Sequence, residues 1–214
     1  VRVFSVLGKL DALLRPSTQW AFKSQSNALY QAFGGFKADE DFFSRNFLYF
    51  RPENRTYPFV LSFISTNFRR KVALLHFTGL GLTRQLIQGE GQQLKVSLAG
   101  VYENTRFNQE VFNLPAYNGS PIVNIWRATV YAAGKHVLGQ YTSVFYNAYW
   151  QPAVPDFKNY RLFFDTGLNW QVKPRLALQC LYLLTGEGLV AQGVQTRDHL
   201  ITLGFNYTFQ VSGK

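Results

Sequence analysis

The stretch His199-Leu-Ile-Thr-Leu-Gly-Phe-Asn-Tyr-Thr-Phe209 alternates without a break: Ile201, Leu203, Phe205, Tyr207 and Phe209 share one face, and Thr202, Gly204, Asn206 and Thr208 share the other. Successive side chains point to opposite sides in extended backbone, so this periodicity commits the segment to a β-strand. A second run repeats it. Tyr160, Leu162, Phe164, Thr166, Leu168 and Trp170 lie on one side, and Arg161, Phe163, Asp165, Gly167, Asn169 and Gln171 on the other. One face of each strand suits lipid or a core, and the opposite face suits water.

Further strands are expected near 176–186, 137–152, 122–135, 92–107, 71–86, 56–69 and 42–52, with earlier ones near 26–38, 17–25 and 1–10. With the two runs above, this predicts about 12 strands, with 10 as the alternative. Leu7, Leu10, Leu13 and Leu14 also fit helical spacing, so residues 1–16 read either as a first strand or as a short N-terminal helix. Many of the strands reach 11 to 16 residues. Globular strands are usually ~5–6 residues long, whereas tilted membrane strands need ~9–11. Continuous apolar stretches such as Val72–Leu75 end after about four residues, far below the ~20 of a spanning helix.

The connectors alternate in length. Lys173-Pro174-Arg175, Gly134-Lys135-His136 and Gln88-Gly89-Glu90-Gly91 read as short turns, and Asn108–Pro121 and Glu187–Asp198 as long loops. Short turns at one end and longer loops at the other is the plan of an outer-membrane barrel, although Arg69-Arg70-Lys71 falls on the loop side while being short and basic. Aromatic residues gather toward strand ends, in Phe42-Phe43, Phe47–Phe50, Tyr146–Trp150 and Phe205–Phe209, as in interfacial girdles. The predicted fold is therefore all-β: a transmembrane antiparallel up-and-down β-barrel of about 12 strands, one domain over residues 1–214.

Composition narrows the function classes. Of the 214 residues 47% are hydrophobic, 17% aromatic and only 16% charged, against about 25% charged in soluble domains. The 22 Lys and Arg outnumber the 12 Asp and Glu, giving a net charge of +10. The basic residues are scattered, with Arg69-Arg70-Lys71 the one run, so nucleic acid is not the expected partner. The single cysteine, Cys180, excludes an intrachain disulfide and a cysteine-based zinc cluster. No Met occurs even at position 1, which fits a removed signal peptide.

Several segments carry a family resemblance. Tyr149-Trp-Gln-Pro-Ala-Val-Pro-Asp-Phe-Lys-Asn-Tyr-Arg161, Gly193-Val-Gln-Thr-Arg-Asp198, Phe36-Lys-Ala-Asp-Glu-Asp-Phe42 and Asn67-Phe-Arg-Arg70, taken in order, resemble the salt-induced outer membrane protein family in its Bacteroidota-like form. That family is an outer-membrane β-barrel domain family of unknown function, and the resemblance runs from about Asn27 to Gln210. It implies a monomer-sized outer-membrane barrel with no assigned enzymatic activity and no catalytic residues to carry over. The chain departs from the family at Leu13-Leu14-Arg15-Pro16-Ser17, where a Gly- and Asn-containing turn is the usual pattern.

The sequence offers little catalytic material. The only histidines are His76, His136 and His199, and no His pair at i, i+4, acidic EF-hand loop or phosphate-binding Gly loop occurs, so no catalytic, cofactor or metal site is expected. Gly79-Leu80-Gly81 reads as a packing feature of a strand, and Asn118-Gly119-Ser120 as a turn. The remaining candidates are polar residues expected to line the lumen: Lys95, Glu103, Arg127, Arg161, Asp165, Asn169, Gln179, Thr202 and Asn206. In an open pore they would bias ion passage, and in a plugged one they would pair with each other. With Phe163 also inward, an occluded or very narrow pore is expected.

The favoured expectation is a non-enzymatic outer-membrane barrel acting as a structural or interaction component, an accessory subunit of an envelope complex. Its partners would be outer-membrane lipids, lipopolysaccharide and other outer-membrane proteins. A narrow pore for ions or small solutes, and a soluble β-barrel binding an apolar ligand, are the alternatives.

Overall fold

A computed structural model describes residues 2–207. Val1, Thr208 and Phe209, which the periodicity assigns to the first and last strands, lie outside the described residues. The described chain is an all-β up-and-down meander whose 11 strands pair in sequence order: β1 (Val3–Ser17), β2 (Trp20–Phe33), β3 (Phe36–Phe50), β4 (Thr56–Asn67), β5 (Val72–Gly89), β6 (Gln92–Phe107), β7 (Ile122–Val137), β8 (Thr142–Pro152), β9 (Tyr160–Lys173), β10 (Leu176–Glu187) and β11 (Arg197–Tyr207). Every pairing is antiparallel. Among the described residues the one helical segment is a 3-10 turn at Pro115–Tyr117.

The strand count of 12 (or 10) is corrected to 11, and the difference arises near the start of the chain. The four segments expected at 1–10, 17–25, 26–38 and 42–52 are three strands, because the reversals fall at Thr18-Gln19 and Gly34-Gly35. Gly34 and Gly35 both have positive φ, +59° and +88°, the conformation that a two-residue hairpin turn demands and that glycine adopts freely. Residues 1–16 are not a helix in the described part: β1 pairs with β2 from Val3 to Ser17, with a bulge between Leu14 and Ser17. The turn expected at Gly134-Lys135-His136 is also displaced. Those residues continue β7, and the chain reverses at 138–141 instead.

The three longest connections share one end, as the spacing predicts, but the sorting is incomplete: the two-residue turn 34–35 lies at that end as well, and the five-residue connection 51–55 at the other. Lys173–Leu176 and Gly89–Gln92 bracket tight turns at one end, here the turn end, while 108–121, 153–159 and 188–196 lie at the other, the loop end. Phe68–Lys71 is also at the loop end, and its short turn is fixed by Asn67, whose Oδ1 accepts from the Arg70 N–H at 2.7 Å.

The backbones of β5 and β6 approach closely on the inner face. Gly79 and Gly81 face inward there, and a Cβ on either would lie 2.2 Å from the Gly100 carbonyl oxygen or 2.4 Å from that of Leu98. Only glycine lets the two backbones approach this closely, which is why Gly79-Leu80-Gly81 interrupts a strand of bulky residues. Phe59, Leu61 and Val101 pack on the inner face beside it. A second apolar cluster of Val72, Leu75, Phe107, Phe112, Val123, Ile125, Ala153 and Leu189 closes the loop end.

The sheet is not closed into a barrel: among the described residues no ladder joins β1 to β11. In a meander of 11 strands the first and last run in the same direction, so the antiparallel junction that closes even-numbered barrels is not open to them.

Candidate functional site

Strand alternation sends one charged set inward at the loop end. Glu103 on β6 is 1% exposed and lies between two guanidinium groups. Arg127 Nε on β7 donates to Oε2 at 2.6 Å, and Arg161 Nη2 on β9 donates to Oε1 at 2.8 Å. Arg161 Nη1 also donates to Oε2, and Thr105 Oγ1 donates to Oε1 at 2.7 Å. Arg127 spends its remaining donors on the Asn159 carbonyl at 3.0 Å and the Asn159 Oδ1 at 2.8 Å. The charged groups of the cluster are thus hydrogen-bonded to one another and to Asn159, the condition under which buried charge is tolerated, while the buried Asn159 Nδ2 has no partner.

Two loops cover it. Asn113 in 108–121 donates its amide to the Gly188 carbonyl at 2.8 Å, and its Oδ1 accepts from the Val190 N–H at 2.9 Å. The Asn113 N–H donates to the Val190 carbonyl and the Gln192 N–H to the Val111 carbonyl, so the two loops are tied by backbone as well. Phe112 packs edge-on against Phe107 at 4.8 Å. Arg70, from the turn between β4 and β5, reaches across to Glu187 at 3.2 Å and to Asp198 at the start of β11. Burial works against its charge, but the two carboxylates outweigh it and hold the Arg70 pKa above the usual arginine value. The loop end is therefore stitched shut from several strands.

Below this seal the concave face bounds a part-open cavity of about 590 Å³. Its walls are aromatic, with Phe47, Tyr49, Phe63, Phe77, Tyr149 and Phe163 among them. Tyr149 stacks on Phe163 at 5.4 Å and Phe63 on Phe77 at 4.8 Å. One polar chain crosses the wall, from the Tyr131 hydroxyl to Asn147 at 2.9 Å and from Asn147 to Asp165 at 3.0 Å. Lys23, Arg45 and Lys95 also face the cavity.

The structure brings Glu103, Arg127 and Arg161 together in one cluster and places Lys95 and Asp165 on the cavity wall. Asn169, Gln179, Thr202 and Asn206 share the inner face by register, but they sit on the β9–β11 flank and do not line the cavity. Sequence reasoning missed Lys23, Arg45, Arg70 and Glu187. Lys23-Ser-Gln-Ser-Asn27 is polar on both faces and gives no alternation to read, so Lys23 and Arg45 are placed inward only by their register against Phe47 and Gln25 once β2 and β3 have their true bounds. Arg70 and Glu187 act through turns and strand ends, where alternation gives no direction.

The aromatic runs also divide. Phe43, Phe47, Tyr49 and Tyr149 point inward, so the expectation that these strand-end groups are all interfacial is corrected by the register. The three histidines lie on the outer face: His136 bonds Gln92 at 2.6 Å and stacks on Tyr146, His199 bonds Tyr182 at 2.9 Å, and His76 is exposed on β5. Among the described residues no group of three His, Cys, Asp or Glu side chains could hold a metal ion.

The fold and interior define an all-β protein, one antiparallel meander coiled around a polar and aromatic cavity that is covered at one end. The chain belongs to the family described as "Protein of unknown function, DUF481", which it matches over residues 5–209. No curated protein matches it.

Proposed function

We propose that this chain is a non-enzymatic integral outer-membrane β-barrel of a Gram-negative envelope, acting as a structural or interaction component. The observation that carries this reading is the inversion of polarity across the sheet. Large apolar side chains stand on the outer face, among them Leu80 at 71% exposure, Leu98 at 61%, Trp126 at 60%, Leu203 at 76% and Phe205 at 73%, while the buried charges face inward. A soluble surface would carry Lys and Glu at those positions.

Outer aromatic groups fall toward both ends. Trp20 packs on Phe50 at the turn end, and Tyr102 on Trp126 and Trp150 on Phe157 toward the loop end, which suits two interfacial girdles. The resemblance to the salt-induced outer membrane proteins, in their Bacteroidota-like form, supports the same reading. The parallel edges β1 and β11 favour an accessory-subunit role, because one strand from a partner laid between them makes both junctions antiparallel. The covered loop end argues against free conduction and for a plugged interior.

Gentle detergent extraction of the membrane fraction, followed by the mass of the particle carrying this chain, tests the proposal. Recovery in the detergent extract together with larger proteins is the expected result. Recovery in the soluble fraction would overturn it.

A further inference from the structure

The charges that face the cavity are unequally provided for. At the loop end Glu103 is matched by Arg127 and Arg161, and Arg70 by Glu187 and Asp198. Toward the turn end Lys23, Arg45 and Lys95 share the same space, and among the described residues none of the three forms an ion pair closer than 4.0 Å. Lys95 and Lys23 repel each other across the interior, and Lys23 and Arg45 do so between neighbouring strands. Arg45 donates one Nη to Gln25 at 3.0 Å, yet its buried Nε has no partner.

The nearby carboxylates form no ion pair with these three cations. Asp11 lies within electrostatic reach of Lys23, but it accepts from Gln25 at 3.0 Å and pairs with Lys9 at 3.5 Å. Asp165 accepts from Asn147, and Asp41 from Asn67 and the Phe68 N–H. Three cations that face one cavity without an ion-pair partner leave it short of negative charge, although Asp41 and Asp165 also line it, and a buried guanidinium N–H without an acceptor is costly. An anion placed among them removes both penalties.

We propose that the turn-end side of this interior is a binding site for a small amphipathic organic anion: an apolar or aromatic body carrying one carboxylate or phosphate head. Lys23, Arg45 and Lys95 hold the head, with the Arg45 Nε supplying a directed donor. The body lies along Phe47, Tyr49, Phe63 and Phe77, where aromatic faces stack against it. A cavity of about 590 Å³ is within the range that encloses such molecules. The site depends only on the interior geometry, so recovery of the chain in a soluble fraction leaves its test intact.

The test is equilibrium dialysis of the full chain, in its native membrane mimic, against naphthoate, naphthyl phosphate and the neutral naphthylmethanol, with protein-free mimic as the blank. Saturable binding of an anion and none of the alcohol is expected, and the stronger of the two anions identifies the head group. Arg45→Gln and Lys95→Gln should each weaken binding about tenfold, the scale of a charge-assisted hydrogen bond. Lys95→Arg and the outward-facing control Arg106→Gln should retain it. Because Lys95 has no ionic partner, Lys95→Gln without ligand should melt at or above the wild-type temperature, which separates lost binding from lost fold. Absence of saturation, equal binding of the alcohol, affinities unmoved by Arg45→Gln and Lys95→Gln, or a lowered melting temperature in Lys95→Gln would each overturn the proposal.

Discussion

Glu103 is the residue on which the loop-end interior depends. It is one carboxylate between two guanidinium groups, so neutralising it leaves Arg127 and Arg161 without their ion-pair partner and with only the more distant Glu187 to offset their repulsion. Removing one partner of a buried pair costs about 3–5 kcal/mol. Glu103→Gln is therefore expected to lower stability by that order in a denaturant titration. Arg161→Ala leaves Glu103 with Arg127 and Thr105 and should cost less. Equal losses would contradict the two-to-one arrangement. Gly79 makes a second residue-scale prediction. Gly79→Val places a side chain where even a Cβ meets the Gly100 carbonyl at 2.2 Å, and the refolding yield should collapse, while the same change at Gly100, whose Cβ position is open, should be tolerated.

Among elements, the seal between 108–121 and 188–196 hangs on Asn113, which bonds Gly188 and Val190 through its side chain. Asn113→Ala should raise hydrogen exchange at the Val190 amide, as well as at the backbone bond from Gln192 to Val111, with little change in β5 and β6. Protection unchanged in both loops would mean that the aromatic packing of Phe112 alone holds the cover. Elements were also where sequence reasoning was most and least informative. The last strands were legible because their alternation is uninterrupted, and their registers follow it from Arg161 to Asn206. The first strands were not, because Gly34-Gly35 turns within a run of apolar and polar residues that reads through it, and because Gly134 mimics a turn while lying in β7 beneath Tyr146. The interior cluster was legible as a set of inward residues. Its pairing was not, since Glu103 and Arg161 are brought together by coiling of the sheet, a long-range property that no local period encodes.

For the whole molecule, the proposal turns on whether the apolar outer face meets lipid or water. All four tryptophans, Trp20, Trp126, Trp150 and Trp170, stand on the outer face and are 40–60% exposed. None lines the cavity. Intrinsic tryptophan fluorescence thus reports the environment of the outer surface alone. The chain, reconstituted into vesicles whose acyl chains carry bromine, should lose most of its tryptophan emission through contact quenching, while an aqueous quencher such as iodide should have little effect. Emission insensitive to brominated lipid but quenched by iodide would contradict a lipid-facing outer surface.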